Sequence, residues 1–264
     1  MLPPPAALLA AFDAELRRDP PPEAGFRYER SGGVVRAIGP YCWIPWWEFG
    51  AADCDDEVAA QAAAFAALGR SVEWKVYGHD APANLAATLT RHGFVPDESE
   101  TVMVLDLRDA AFAPDAPPAG IEVRRVCDER GLADLVDVTS AAFEADAAWM
   151  LDALPPQLFG PDPRAAAYVA YVDGRPAGGG RLEFPGGRSF ASMWGGGTIA
   201  ALRRRGIFRA LVAARAAYAR DAGYPYLFVE ARAASRPALE RFGFVALTTV
   251  RGWNLHPGPT DAAR

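Results

Sequence analysis

Gly195-Gly196-Gly197-Thr198-Ile199-Ala200-Ala201-Leu202-Arg203-Arg204-Arg205-Gly206-Ile207-Phe208-Arg209-Ala210-Leu211 is the stretch that decides how this 264-residue chain reads. A strand from about Ser189 to Thr198 ends, the chain turns through three arginines and a glycine, and a helix begins. Ile207, Leu211, Ala214 and Tyr218 put an apolar stripe on that helix, and Gly223-Tyr224-Pro225 stops it. The first N–H groups of a helix have no carbonyl partners inside it, and the helix dipole adds partial positive charge there. A diphosphate suits such an end. Gly206 removes a Cβ from the approach, while Arg203, Arg204, Arg205 and Arg209 add charge. An ordinary helix start with solvated arginines has the same spacing, so both readings stand at this point.

Downstream lie a buried-type strand, Tyr226 to Glu230, a short helix, Ser235 to Phe242, and a last strand from Phe244. Upstream, Ile121 to Arg124 is extended, and Asp128 to Phe143 carries Leu132, Leu135, Val136 and Phe143 on one helical face. Trp149 to Pro163 reads as an irregular loop. Ala167 to Val172 and Pro176 to Phe184 are strands joined by the hairpin dipeptide Asp173-Gly174. This is an α+β pattern: an antiparallel meander feeds one β-α-β crossover, giving a mixed central sheet flanked by helices. The segment Ala113-Pro114-Asp115-Ala116-Pro117-Pro118-Ala119-Gly120 cannot continue either neighbouring element and reads as a linker. It divides the chain into domains 1–115 and 116–264. In the first domain a helix (Val58 to Leu68), a strand (Val72 to Tyr77), a helix (Pro82 to Arg91) and Gly93-Phe94 follow one another. From the strand onward this order matches Phe228 to Phe244, a weak internal repeat.

The arginine turn resembles the signature of the GNAT N-acetyltransferase superfamily, in which Arg or Gln, two residues, Gly, one residue, then Gly or Ala forms a pyrophosphate turn. Arg203 and Gly206 take the first two places; Phe208 departs from the third. Leu239-Glu240-Arg241-Phe242-Gly243-Phe244 resembles the end of that fold, and the likeness spans nearly all of Ile121 to Trp253. The resemblance implies two GNAT-like domains, the N-terminal one degenerate, with acetyl-CoA as co-substrate in the other. It implies that backbone at Thr198 and Ile199 pairs with the pantetheine arm. Amides from Arg204 through Gly206, Ile207 and Phe208 to Arg209 would hold the pyrophosphate. Ser235 stands where either a cofactor contact or a plain N-cap is expected. The superfamily often has a Tyr four residues before the Gly of the closing pair, where it protonates the leaving thiolate; here Leu239 stands there. Attack by an amine needs a base, and Glu230 and Glu183 are the candidates, although strand carboxylates also pair with arginines or face solvent. Phe143 to Phe159, with Trp149 and Met150, would wall the acceptor site or simply pack the core. The implied reaction is transfer of an acetyl group to a primary amine of a small molecule or peptide by direct attack in a ternary complex. A catalytically weak acyl-CoA-binding sensor or interaction module is the rival, and a ligand-free structural tandem the third reading.

Composition narrows the classes. With 51% hydrophobic and 23% charged residues the chain reads as globular, and a net charge of -6 argues against a nucleic-acid partner. Cys42, Cys54 and Cys127 cannot all pair, no apolar run is long enough for a bilayer, and Met1-Leu2-Pro3-Pro4-Pro5 lacks a basic leader, so cytoplasmic residence with no membrane partner is expected. Monomer and homodimer are both compatible with this composition. His79, His92 and His256 lack ligand spacing, so no metal is expected. There is no Gly-x-x-x-x-Gly-Lys-Ser/Thr loop, no dinucleotide fingerprint and no Gly-x-Ser-x-Gly elbow. The run Tyr41 to Phe49 is aromatic without a basic cluster; core, interdomain surface and pocket lining all fit it.

Overall fold

The computed structural model describes residues 3–23, 25–109 and 116–257. The linker residues Ala113, Pro114 and Asp115, and Met1-Leu2 at the start, lie outside the described residues. In chain order the elements are α1 (Pro5–Phe12), continued by a π-helical segment Asp13–Arg18, then β1 (Arg27–Ser31), β2 (Val34–Ile38), β3 (Cys42–Trp47), α2 (Cys54–Ala67), β4 (Val72–Tyr77), α3 (Leu85–Arg91), β5 (Val95–Pro96) and β6 (Glu100–Asp106). Next come β7 (Ile121–Arg125), α4 (Glu129–Phe143), α5 (Met150–Ala153), α6 (Pro155–Phe159), β8 (Ala165–Val172), β9 (Arg175–Glu183) and β10 (Phe190–Thr198). The chain ends with a 3₁₀ turn Ala200–Leu202, α7 (Ile207–Asp221), β11 (Tyr226–Ala231), α8 (Arg236–Phe242) and β12 (Val245–Leu255). The expected irregular loop Trp149 to Pro163 instead holds two short helices. Pro155 opens α6, where a proline's missing N–H costs no helical bond. No helix among the described residues is long and apolar enough to cross a membrane.

Two compact units result, and they are not the contiguous halves 1–115 and 116–264. One holds Met103–Glu230 and Ser235–Val245; the other holds Pro3–Val102, Ala231–Ala234 and the chain from Ala246. Prolines show where an element must stop, but not which sheet the preceding strand joins. The N-terminal unit has the strand order β1-β2-β3-β4-β12, with β5 also on β12, so its last strand comes from the far end of the chain. Leu255 to Val250 run against Val72 to Tyr77 in continuous register.

The C-terminal unit has the order β6-β11-β10-β9-β8-β7. Strands β7 to β10 form the expected antiparallel meander, and β11 is parallel to β10. Every residue of β8 is buried, because both faces of the sheet are covered. Ala165, Ala167 and Val169 pack with Leu132 and Leu135 of α4. Ala166, Tyr168 and Ala170 pack with Ile207 and Leu211 of α7. Asp173 and Gly174 turn the β8–β9 hairpin with φ of 50° and 74°, the left-handed pair such a turn needs.

Glycines let these helices approach. A Cβ on Gly179 would stand 2.7 Å from Leu135 Cδ1 and 2.9 Å from Val138 Cγ2 of α4. On Gly178 it would stand 2.7 Å from the Gly197 carbonyl oxygen and 3.0 Å from Ile207 Cγ2 of α7. On Gly180 it would meet Arg215 of α7, and on Gly197 it would meet Ala142 and Phe143. Gly178→Ala is expected to lower unfolding free energy by about 1–3 kcal/mol in a urea melt, since backbone cannot move aside as a side chain does. An unchanged midpoint would mean that the two strands separate freely at this point.

Candidate active site

Strands β10 and β11 stay parallel for three residue pairs, Phe190 with Tyr226, Ala191 with Leu227 and Ser192 with Phe228. Beyond Ser192, β10 bulges against β9: the register passes from Trp194 opposite Arg181 to Gly197 opposite Gly179. That is one residue too many on β10, and Gly195 takes φ of +58° to absorb it. The two parallel strands therefore part after Ser192 and open a wedge between the bulge and the Val229-Glu230 end of β11.

The arginine turn sits at the end of β10. Arg204 and Gly206 both have left-handed backbones, φ +64° and +89°, which fold the turn into a compact nest of amides. Gly206 is the N-cap of α7 and makes no side-chain capping bond; the first intrahelical bond runs from the Ala210 N–H to its carbonyl at 3.0 Å. The amides before Ala210 thus precede the helix ladder, as a bound anion requires. Arg203, Arg204 and Arg205 are exposed, with Arg203 Nε donating to the Thr198 carbonyl at 3.2 Å. Arg209 turns toward α8, its guanidinium 5.6 Å from the Phe242 ring centre. Gly206 is glycine for a further reason: a Cβ there would lie 2.7 Å from Pro118 Cγ. Phe208, the departure in the signature, packs its ring 3.5 Å from the Cβ position of Gly196, filling the space the bulge glycine leaves.

The two residues expected to pair with a pantetheine arm, Thr198 and Ile199, differ from each other. Ile199 has already committed its N–H to the Ala177 carbonyl at 3.0 Å and its carbonyl to the Leu202 N–H at 2.8 Å. Thr198 carries a buried hydroxyl without a partner among the described residues.

On β9, odd-numbered Gly179 faces α4, and strand alternation puts Arg181 and Glu183 on that same face. Register adds Ser192, Trp194, Phe228 and, two residues on, Glu230. The Trp194 indole N–H donates to Ser192 Oγ at 2.8 Å, and its ring meets Phe228 edge-on at 6.2 Å. Both candidate bases therefore lie on one face, with Glu183 placed 3.5 Å from Arg181. Leu239 is 1% exposed and accepts the Phe244 N–H at its carbonyl; its place in α8 is a packing place. Ser235 precedes α8 but makes no side-chain capping bond. Phe143, expected on the buried face of α4, is exposed, as are Trp149 and Phe159, whereas Met150 is core.

Sequence reasoning passed over Arg215. It is 1% exposed in α7, donating to the carbonyls of Leu211 at 3.0 Å and Arg181 at 3.2 Å, with no carboxylate partner among the described residues. Burial pushes its pKa down to about 10. The available signal was Gly180 and Gly196, whose missing side chains make the slot its guanidinium fills.

Residues 132–244 match the family model of the acetyltransferase (GNAT) family. This segment of the chain is similar to a GNAT domain. The family's class of chemistry is acyl transfer, and the parted strands with the arginine turn at their mouth belong to the matched segment. The chain is also similar to a GCN5-related N-acetyltransferase from Kribbella flavida, 18% identical with a TM-score of 0.68, covering 98% of this chain and 96% of that one. A tandem GNAT protein from the clavulanic acid biosynthesis pathway is 18% identical with a TM-score of 0.62, over 97% and 95%. A GCN5-related N-acetyltransferase from Sphaerobacter thermophilus is 16% identical with a TM-score of 0.61, over the same shares. These likenesses establish the two-unit fold. A comparison with curated proteins gives no match.

Gly206→Ala is expected to cost about 1–3 kcal/mol without any ligand, through its left-handed backbone and the Pro118 contact, which thermal unfolding of the ligand-free protein measures. Arg215→Met should behave oppositely. Because the folded-state pKa is depressed, the stabilising share of a neutral group is fully present only above the ordinary arginine value and is lost as pH falls through about 10. At neutral pH the buried charge is a cost, so the variant should melt no more than about 1 kcal/mol below the wild type in urea. A larger loss would show that the two carbonyl bonds outweigh desolvation.

Proposed function

We propose that the C-terminal unit transfers an acetyl group from acetyl-CoA to a primary amine of a small molecule or peptide by direct attack in a ternary complex. The observation that carries this is the coincidence of the β10–β11 wedge with the amide nest and arginines of residues 203–209 at its mouth. The nest and α7 start would hold the pyrophosphate through backbone N–H groups, with Arg203, Arg204 and Arg205 supplying charge. Bound there, the cofactor would supply an acyl thioester to the wedge. Thr198 would contact the pantetheine arm, and Ile199 would serve by fixing the strand end rather than by a free amide. Ser235 remains a candidate contact at the head of α8.

Glu230, at the wedge end of β11, is the preferred base, taking the amine proton directly or through water, with Glu183 the second candidate. The amine nitrogen then forms its bond to the thioester carbon, the carbon–sulfur bond breaks, and the thiolate leaves. Leu239 offers that thiolate no proton, so solvent supplies it. Cys127 is exposed after β7, and Cys42 and Cys54 are buried in the other unit, so direct attack is preferred to a thiol intermediate. Unpaired thiols also fit cytoplasmic residence.

The N-terminal unit is proposed to bind no CoA. Its helix α2 occupies the place of α7 but opens with Asp55, Asp56 and Glu57, which would repel a diphosphate. The buried Leu239 favours a second reading, an acyl-CoA-binding sensor with weak turnover.

Calorimetric titration of acetyl-CoA into the wild type and an Arg204→Glu/Arg205→Glu variant tests the cofactor site. Micromolar binding, about 8 kcal/mol, should weaken by about tenfold or more in the variant, with the difference shrinking in high salt. No binding by the folded wild type would sink the assignment. Binding without turnover on any amine would favour the sensor.

A further inference from the structure

Two arginines of this protein show what a fully partnered guanidinium looks like. Arg17 of the N-terminal unit holds Asp80 through two bonds of 2.9 and 2.8 Å, Asp13 at 2.6 Å and the Pro45 carbonyl at 3.1 Å. Arg108 grips Asp106 through two bonds of 2.9 Å. Arg181 differs. Its side chain is only 15% exposed, its one ion-pair partner among the described residues is Glu183 at 3.5 Å, and its Nε is buried with no hydrogen-bond partner. Arg36 and Arg188 also have a buried Nε without a partner, but Nη2 of Arg36 holds Glu29 at 2.7 Å and Arg188 has interactions elsewhere. A buried guanidinium whose donors are under-used costs free energy unless something completes it.

Its position says what that is. Arg181 lies opposite Trp194 in the β9–β10 register, at the last pair before the bulge. Its Nη1 stands 3.9 Å from the Cβ position of Gly195, the residue that makes the bulge. The Trp149 ring covers the guanidinium at 5.5 Å and is itself 54% exposed, so the cation is roofed by a solvent-facing indole rather than sealed in the core. The planar fork matches a carboxylate, and the charge falls on the face that also carries Glu183 and Glu230.

Resting on the acyl-transfer reading, we infer that the acceptor is an amino acid-like zwitterion whose carboxylate binds Arg181 beneath Trp149, next to the amine that is acylated. Arg181 is then a specificity residue. It places the nucleophile at the bulge and rejects amines that cannot complete its fork.

The test measures kcat/KM with acetyl-CoA for matched acceptors: phenylalanine, its neutral amide and phenethylamine, and the tryptophan set likewise. The wild type is expected to prefer the acid over the amide by about tenfold or more. In Arg181→Met that ratio should fall toward one, whatever the absolute rate, and Arg181→Lys should lie between. Equal use of acid and amide by the wild type would overturn the inference while leaving acyl transfer standing. So would an unchanged ratio in an Arg181→Met chain that melts like the wild type. If Arg181→Met does not fold, Arg181→Lys carries the same comparison. Calorimetric titration of the amino acids into the CoA-saturated chain separates the two claims. Arg181-dependent binding without turnover would support the subsite and count against catalysis. Neither binding nor turnover of any acid would overturn the inference.

Discussion

The absence of side chains at six positions on two adjacent strands is the constraint on which the C-terminal unit depends. Gly178, Gly179 and Gly180 of β9 lie beside Gly195, Gly196 and Gly197 of β10, and helices press on both faces at that place. Without Cβ atoms, α4 and α7 come close enough to seat Leu135, Val138, Ile207 and Leu211 directly against the strand backbone. The same freedom lets β10 bulge at Gly195, and the bulge separates β10 from β11. The wedge, the position of α7 and the direction of its N-terminus all follow from that local loss of pairing. Arg215 fills the slot between Gly180 and Gly196, a buried charge where an apolar side chain would cost less.

The N-terminal unit repeats the scaffold with different chemistry. Helices α3 and α8 end identically: Phe94 donates to Leu89 at 3.0 Å and Phe244 to Leu239 at 3.0 Å, each across a left-handed glycine, Gly93 or Gly243. Leu89 and Leu239, equivalent by this geometry, are both buried. Helix α2 differs from α7 where a ligand would bind, beginning with carboxylates instead of a glycine-arginine nest. The aromatic run Tyr41 to Phe49 is largely core there: Cys42, Ile44 and Trp47 are buried around Trp74. Arg17 stacks on Tyr77 with its guanidinium 3.9 Å from the ring centre and ties the π-helical segment to His79 and Asp80.

Much of this was legible in the chain. Period-two and period-3.6 patterns placed the meander, α4 and α7 within a residue or two, because burial of one face dictates apolar spacing. The arginine turn stood out because strand end, charge and glycine come together in a few residues. Three things were misread for physical reasons. Scattered prolines between Trp149 and Pro163 suggested a loop, yet a proline in a helix's first turn breaks no bond. Phe143 fell on the apolar stripe of α4, but only one edge of its ring meets the sheet, at Gly197, and the rest is exposed. The Ile199 amide, expected to be open, is consumed by Ala177 of the neighbouring strand, a partner far away in sequence.

The sequence by itself determined the meander, α4, α7, the α+β order and the turn at Arg203 to Gly206, since each is set by interactions among near neighbours. Only the tertiary structure decided which strand completes which sheet. Strand exchange moves β12 into the N-terminal unit through pairing across most of the chain's length, and no local pattern records it. Likewise, Arg181, Trp149 and Trp194 are ordinary residues in isolation. They become a site because the β9–β10 register sets one beside another at the bulge, and register is a property of two segments together.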